Sequence, residues 1–192
     1  TLTGFKYIGE QIGLLEKKHT ETSFVFGFEE SCGFLRGTYV RDKDATVASL
    51  LICEMYAAYQ SQGITLMDKL NEIYNKYGFC LNKQHSFKFD GASGSEKMNQ
   101  IMDYVRYKVQ TLGGYNVVLK KDYLPGIDNL PKSNVVKLFL DNNSSVIFRP
   151  SGTEPKLKVY FSIFGEAKST CQTIEYKMVR WLTGITDSVL KD

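Results

Sequence analysis

The sequence predicts an α+β chain built in two unequal parts. Two observations carry this reading. The second half holds several strand candidates and two amphipathic helices, enough for a small α+β domain with its own core. The first half offers helices and one convincing strand, whose backbone N–H and C=O groups need partners on both sides. At 192 residues, 43% apolar and 23% charged, the chain has globular composition and length enough to bury a core.

The elements follow in order. Over residues 3–15, Phe5, Ile8, Ile12 and Leu15 recur near helical spacing, weakened by Gly4, Gly9 and Gly13. Residues 23–28 (SFVFGF) read as a short buried strand. Asp44 is a good N-cap for a helix with Val47, Leu50, Leu51, Met55 and Ala58 on its inward face. Thr65 and Asp68 have capping-box spacing and open a helix with Leu66, Leu70, Ile73 and Tyr77 inward, which Gly78 stops. Residues 86–90 form a possible strand. Ser93 and Glu96 fit a second capping box, ahead of a stripe of Met98, Ile101, Met102, Val105 and Val109. Strands are expected at 115–119, 135–140, 146–148 and 157–164, with Asp141-Asn142-Asn143-Ser144 as a hairpin turn. A last helix is expected over about 166–183, with Cys171, Ile174, Met178 and Leu182 inward.

Composition excludes several function classes. Twenty-four Lys plus Arg against twenty-one Asp plus Glu leaves +3, too little for a nucleic-acid coat or an anionic membrane surface. No apolar run reaches the ~20 residues that span a bilayer, and no signal peptide opens the chain. Cys32, Cys53, Cys80 and Cys171 show no CxxC spacing, and read as reduced thiols of a cytoplasmic protein. His19 and His85 have no partners at ligand spacing, so a metal site or Ser-His-Asp triad is not expected. The chain begins at Thr1, and with its unfinished first half it reads as a piece of something longer.

Two loops carry candidate chemistry. Phe148-Arg149-Pro150-Ser151-Gly152-Thr153-Glu154-Pro155-Lys156 lies between two expected strands. Arg149 offers a planar fork for two phosphate oxygens, Ser151 and Thr153 offer hydroxyls, and Gly152 lets backbone N–H approach. The two prolines limit the entropy lost on binding. An ordinary polar hairpin loop has the same composition. Gly27-Phe28-Glu29-Glu30-Ser31-Cys32-Gly33 places two carboxylates and a hydroxyl straight after a strand, which suits sugar hydroxyls; a solvated acidic turn is the plainer reading. Lys43 stands near a helix N-terminus, where it could meet a phosphate or sugar oxygen. Gly91 to Ser95 looks like a phosphate nest, but a capping box accounts for it. Lys17-Lys18 and Lys120-Lys121 read as solvated faces.

These two loops, in this order, resemble the α-D-phosphohexomutase superfamily of phosphoglucomutases and phosphomannomutases. Its sugar-binding Glu-x-Ser loop is matched by Glu29, Glu30 and Ser31, and its Arg-x-Ser-Gly-Thr-Glu-Pro phosphate loop by Arg149, Ser151, Gly152, Thr153, Glu154 and Pro155. The flanking GFEESCGF and VRDKD text is similar to the phosphoglucomutase type that also includes phosphopentomutase-like members, and Thr3-Gly4-Phe5-Lys6 resembles third-domain text.

The resemblance implies a C-terminal fragment. Residues 1–78 would end an α/β layered third domain, and 79–192 would form the fourth, a small antiparallel sheet with helices. It implies reversible phosphoryl movement between hexose 1- and 6-positions through a phosphoserine and a bisphosphate intermediate. Glu29, Glu30, Ser31 and Lys43 would bind the sugar; Arg149, Ser151, Gly152, Thr153 and Lys158 would hold the phosphate. The implied partners are a glucose or mannose phosphate and the missing N-terminal domains of the same chain, with a fragment dimer as a further expectation. The family's Ser-His-Asn motif and DGDGDR-like metal loop do not occur in this sequence. No catalytic or metal-binding residue is therefore expected here, and Mg2+ would belong to the full-length enzyme. Competing readings are a phosphopentomutase-type member and a non-catalytic phosphosugar-binding module.

Overall fold

A computed structural model describes residues 1–29, 33–89, 91, 93–152 and 154–189, with side chains through 186. The fold is α+β. The chain separates into two compact units, Thr1–Asn71 and Glu72–Asp192.

The first unit contains α1 (Phe5–Glu16), a 3-10 turn (Glu21–Ser23), a two-stranded antiparallel ribbon of β1 (Gly27–Glu29) and β2 (Gly33–Leu35), and α2 (Ala45–Gln60). The expected strand at 23–28 is displaced. Its first residue belongs to the 3-10 turn, and pairing begins only at Gly27, opposite Leu35. The strand that pairs with it, β2, escaped the sequence reading because three residues are too few to show alternation. Phe5, Ile12 and Leu35 make a small core, with Ile8 and Phe24 packed against it.

α2 starts where expected. Asp44 accepts from the backbone N–H of Thr46 and Val47, satisfying two of the orphan donors of the first turn. Its expected inward face is not inward: no residue of α2 is buried, and Leu50 is 59% exposed. α3 (Leu66–Tyr77) opens on a reciprocal capping box, with Thr65 N donating to Asp68 Oδ2 at 2.9 Å and Asp68 N to Thr65 Oγ1 at 3.1 Å. It too buries none of its residues, Leu70, Ile73 and Tyr77 included. Periodicity marks these two faces as apolar, and among the described residues they are half-buried at most.

The second unit is a six-stranded antiparallel sheet with two helices. The strands are β3 (Phe79–Lys88), β4 (Thr111–Leu112), β5 (Tyr115–Asp122), β6 (Val136–Leu140), β7 (Ser145–Pro150) and β8 (Lys156–Gly165), in the order β3-β8-β7-β6-β5-β4. Alternation sorts the faces. Val146, Phe148, Leu157, Val159, Phe161 and Ile163 are buried together with α4 (Gly94–Tyr107) and α5 (Lys168–Val189) residues, among them Ile101, Val105, Cys171 and Met178. Each such side chain contributes roughly 1.5–3 kcal/mol when withdrawn from water. β3 begins seven residues earlier than the expected 86–90 strand, and α5 continues beyond 183. The Asp141–Ser144 turn forms as expected, with Asn143 N donating to Leu140 O at 3.1 Å and Asn143 at φ 63.

Three local expectations need correction, at the Ser93 cap, Lys120 and Lys121. Ser93 precedes α4 but its side chain makes no capping hydrogen bond, so the capping box proposed for Ser93 and Glu96 does not form. Gly94 N instead donates to Gly91 O, a turn closed by backbone alone. Lys120 is not a solvated face. It is half-buried, and its Nζ donates to Arg106 O at 2.8 Å and Val109 O at 3.3 Å, carbonyls at the C-terminal end of α4. Lys121 pairs with Asp128 at 2.6 Å. His85 has a carboxylate partner, its Nε2 lying 2.8 Å from Glu175 Oε1, which ties β3 to α5.

Candidate functional site

The acidic turn belongs to the first unit. Glu29 ends β1, and its Oε1 lies 4.0 Å from Lys43 Nζ; the carboxylate side chain is 13% exposed and the lysine 47%. Gly33 makes this approach possible. A Cβ there would stand 2.8 Å from both Glu29 Cγ and Lys43 Cδ, so any larger residue would push the pair apart. Lys43 also donates from Nζ to Asp42 Oδ1 at 3.0 Å, and this bond, with the negative charges of Asp42 and Glu29, holds its pKa above the ordinary lysine value. The Asp44 backbone N–H donates to Phe34 O at 2.8 Å, which fixes the Lys43 segment against β2. Tyr39 Oη donates to Asp44 Oδ2 at 2.5 Å; this bond, then the N–H groups of α2, lowers the Asp44 pKa. Glu30 and Ser31 lie outside the described residues. Beside Lys43, an apolar groove of about 860 Å³ is lined by Val25, Phe26, Phe34, Ile52 and Met55, with Arg36.

The second loop lies between β7 and β8. Arg149 is the penultimate residue of β7 and alternates with buried Phe148, so it projects from the sheet face opposite the helices. Its Nη1 donates to Tyr160 Oη at 3.4 Å, a contact within the sheet face. Lys158 stands directly opposite Arg149 on β8. The base of the loop is closed by backbone bonds, from Ser151 N to Lys156 O and from Lys156 N to Glu154 O, both at 2.8 Å. Phe89 N donates to Pro155 O at 2.9 Å, which anchors the loop to the segment after β3. Gly94 is the steric condition for this anchor: a Cβ there would lie 2.1 Å from Phe89 O and 3.0 Å from Pro155 Cβ. Gly152 is exposed, and a Cβ on it would meet nothing within 4 Å, so packing leaves that position open. Thr153 lies outside the described residues.

The structure thus brings Glu29 and Lys43 together in one unit, and Arg149, Ser151, Gly152 and Lys158 onto one loop and sheet face in the other. Sequence reading missed Tyr160, Gly33 and Gly94. Tyr160 was findable, because strict alternation along Lys156, Lys158 and Tyr160 places it on the Arg149 face. The glycines carry no such signal, since each answers a contact with chain that is distant in sequence or folded back on itself. Among the described residues, no group of three or more His, Cys, Asp or Glu gathers as a metal cage. No described helix is long and apolar enough to cross a membrane.

Comparison with known proteins finds relatives in one family. Residues 1–77 match the family model for phosphoglucomutase/phosphomannomutase, alpha/beta/alpha domain III. A phosphoglucomutase of Staphylococcus epidermidis is 38% identical over 174 residues, which is 84% of this chain and 31% of that protein. The chain belongs to the phosphoglucomutase/phosphomannomutase family. A Staphylococcus haemolyticus phosphoglucomutase is 37% identical over the same coverage. Among solved structures, the open form of the Paramecium exocytosis-sensitive phosphoprotein pp63/parafusin, described as a phosphoglucomutase, matches 96% of this chain with a TM-score of 0.67 at 21% identity. That likeness supports the fold. The chain spans about a third of the length of these relatives, 31% of the Staphylococcus epidermidis protein and 33% of the Paramecium chain.

Proposed function

We propose that this chain is the substrate-holding C-terminal part of a phosphohexomutase, an intramolecular phosphotransferase that interconverts hexose 1- and 6-phosphates. Residues 1–78 are the end of its third domain and 79–192 its fourth. The observation that carries this reading is Arg149: it stands on the open face of the sheet, beside a loop whose base is closed by backbone bonds. Arg149, Ser151, Gly152, Thr153 and Lys158 hold the phosphate that is not being transferred, through charge-assisted bonds of roughly 1.5–3 kcal/mol each. Glu29, Glu30, Ser31 and Lys43 hold the sugar hydroxyls, with the Glu29 carboxylate accepting and the Lys43 ammonium donating. This holding matters because phosphoryl transfer depends chiefly on alignment and charge stabilisation.

The phosphoserine that exchanges the phosphoryl group, and the Mg2+ that would stabilise charge during transfer, belong to the rest of the full-length cytoplasmic enzyme. The same remainder of the protein covers the apolar faces of α2 and α3; in its absence, those faces favour a dimer of the 192-residue chain.

A binding titration and an activity assay test this reading. Glucose 6-phosphate added to the chain shifts the backbone resonances of 149–158, and Arg149→Ala weakens binding by about tenfold, the worth of one charge-assisted bond. Purified chain, free of contaminating mutase, produces no glucose 6-phosphate from glucose 1-phosphate. Silence of the loop at millimolar ligand, or turnover by the chain alone, overturns the proposal. Mannose and pentose phosphates in the same titration rank the substrates.

A further inference from the structure

The Arg149 loop is bordered by more positive charge than the proposed phosphate site uses. On β8, Lys158 faces Arg149 across one strand boundary and Ser86 of β3 across the other; Lys156 faces Lys88 of β3. All lie on the face away from the helices, since Leu157 between them is buried and pairs with Phe87, which packs against the core. Arg149, Lys158, Lys156 and Lys88 therefore form a block three strands wide and about two residues deep, with the Ser86 hydroxyl among them. Facing residues of an antiparallel pair stand ~5 Å apart, and like charges placed so are destabilising.

Two other basic residues of this unit are neutralised by carboxylates. Arg106 meets Asp103 and Asp122, and Lys121, which faces Lys137, meets Asp128. In the block, the one carboxylate near a lysine among the described residues is Glu154, 4.0 Å from Lys156 and itself 64% exposed. Lys88 is exposed and has no ion-pair partner among the described residues.

We propose that Lys88, on β3, is a further positioning residue of the phosphate site, and that with Lys156 it makes the site select a doubly charged phosphate monoester over a singly charged ester of the same shape. This rests on the phosphate-site reading above and deepens it. Arg149, Ser151 and Lys158 supply directional contact to the phosphate oxygens. Lys88 and Lys156 flank them from the next strand and act through space, where the attraction scales with ligand charge and is screened by salt. A dianion also relieves the repulsion within the block, so the ligand raises the stability of the second unit as it binds.

Glucose 6-phosphate and glucose 6-sulfate distinguish the two roles, because they share shape and differ in charge. Calorimetric titration of the 192-residue chain at pH 7.5 and low salt is the measurement. Lys88→Gln is expected to weaken the phosphate ester by roughly two- to fivefold, the range of an exposed charge interaction, and the sulfate ester, with half the charge, by about the square root of that factor. The difference shrinks at high salt. Lys83→Gln is the control, an exposed lysine of the same strand opposite buried Phe161 and hence on the other face; it changes neither affinity. Equal loss for both esters, or no loss in Lys88→Gln while Arg149→Ala still weakens binding about tenfold, overturns the role of Lys88 and leaves the phosphate site standing. Absence of phosphate-ester binding by the unaltered chain overturns both.

Discussion

The two units differ in how completely they bury what their sequences make apolar. Among the described residues, the Glu72–Asp192 unit assembles twenty buried hydrophobic residues from both helices and most strands of its sheet into one core. The Thr1–Asn71 unit gathers three, Phe5, Ile12 and Leu35, while α2, which is apolar around most of its circumference, buries none. A helix of that composition is normally enclosed on several sides. The family model that matches residues 1–77 describes an alpha/beta/alpha layering, and the described part of the first unit has helices with only a two-stranded ribbon. The comparison teaches that hydrophobic pattern records the environment of the whole protein, whereas burial records only the chain in hand.

Paired alanine substitutions in the 192-residue chain test that contrast most strongly. Phe161 is 1% exposed in the core of the second unit, and Phe161→Ala is expected to cost about 3–5 kcal/mol in denaturant unfolding. Leu50→Ala, at a position 59% exposed in the first unit, is expected to change stability by less than about 0.5 kcal/mol. Equal costs would mean that the α2 face is covered in solution, which would show at once as a dimer by light scattering.

The next largest effect probes the polar side of the stable unit. Arg106 has a side chain only 5% exposed and donates to Asp122, Asp103 and Asn134 at 3.0, 3.1 and 2.6 Å, joining α4 to β5 and to the segment before β6. Removing one partner of a buried network strands the others, so Arg106→Ala is expected to cost about 3 kcal/mol. Arg41, the ion-pair partner of Glu16 in the first unit, is 40% exposed, and Arg41→Ala is expected to cost less than about 1 kcal/mol.

The same contrast explains what could be read from sequence. Helix starts set by local chemistry, such as the Asp44 cap and the Thr65–Asp68 box, were legible because all partners lie within four residues. The strands of the second unit were legible because Leu157, Val159, Phe161 and Ile163 alternate with Lys158, Tyr160 and Ser162. β2 and β4 were not, since strands of three and two residues are defined by the partner they pair with. Of the site, the loop residues were legible as motifs. The placing of Lys88 of β3 opposite Lys156 depends on register, which pairs residues some seventy positions apart and leaves no local trace.

The smallest effect concerns the cap that starts α2. The Asp44 carboxylate accepts from Tyr39 Oη and from two backbone N–H groups, and its pKa is lowered chiefly by the tyrosine bond. A carboxyl group with a depressed folded pKa stabilises fully above its unfolded value of about 3.9, and that contribution disappears as pH falls through the folded value. Hydrogen exchange should therefore show the amides of Thr46 and Val47 losing protection below about pH 4, while the core amides of β8 stay protected there. Asp44→Asn keeps an acceptor but not the charge, and should remove the pH dependence without removing the cap. If the α2 amides exchange freely at every pH, the first unit is too open for its cap to matter, and the contrast between the units is larger than their buried residues alone imply.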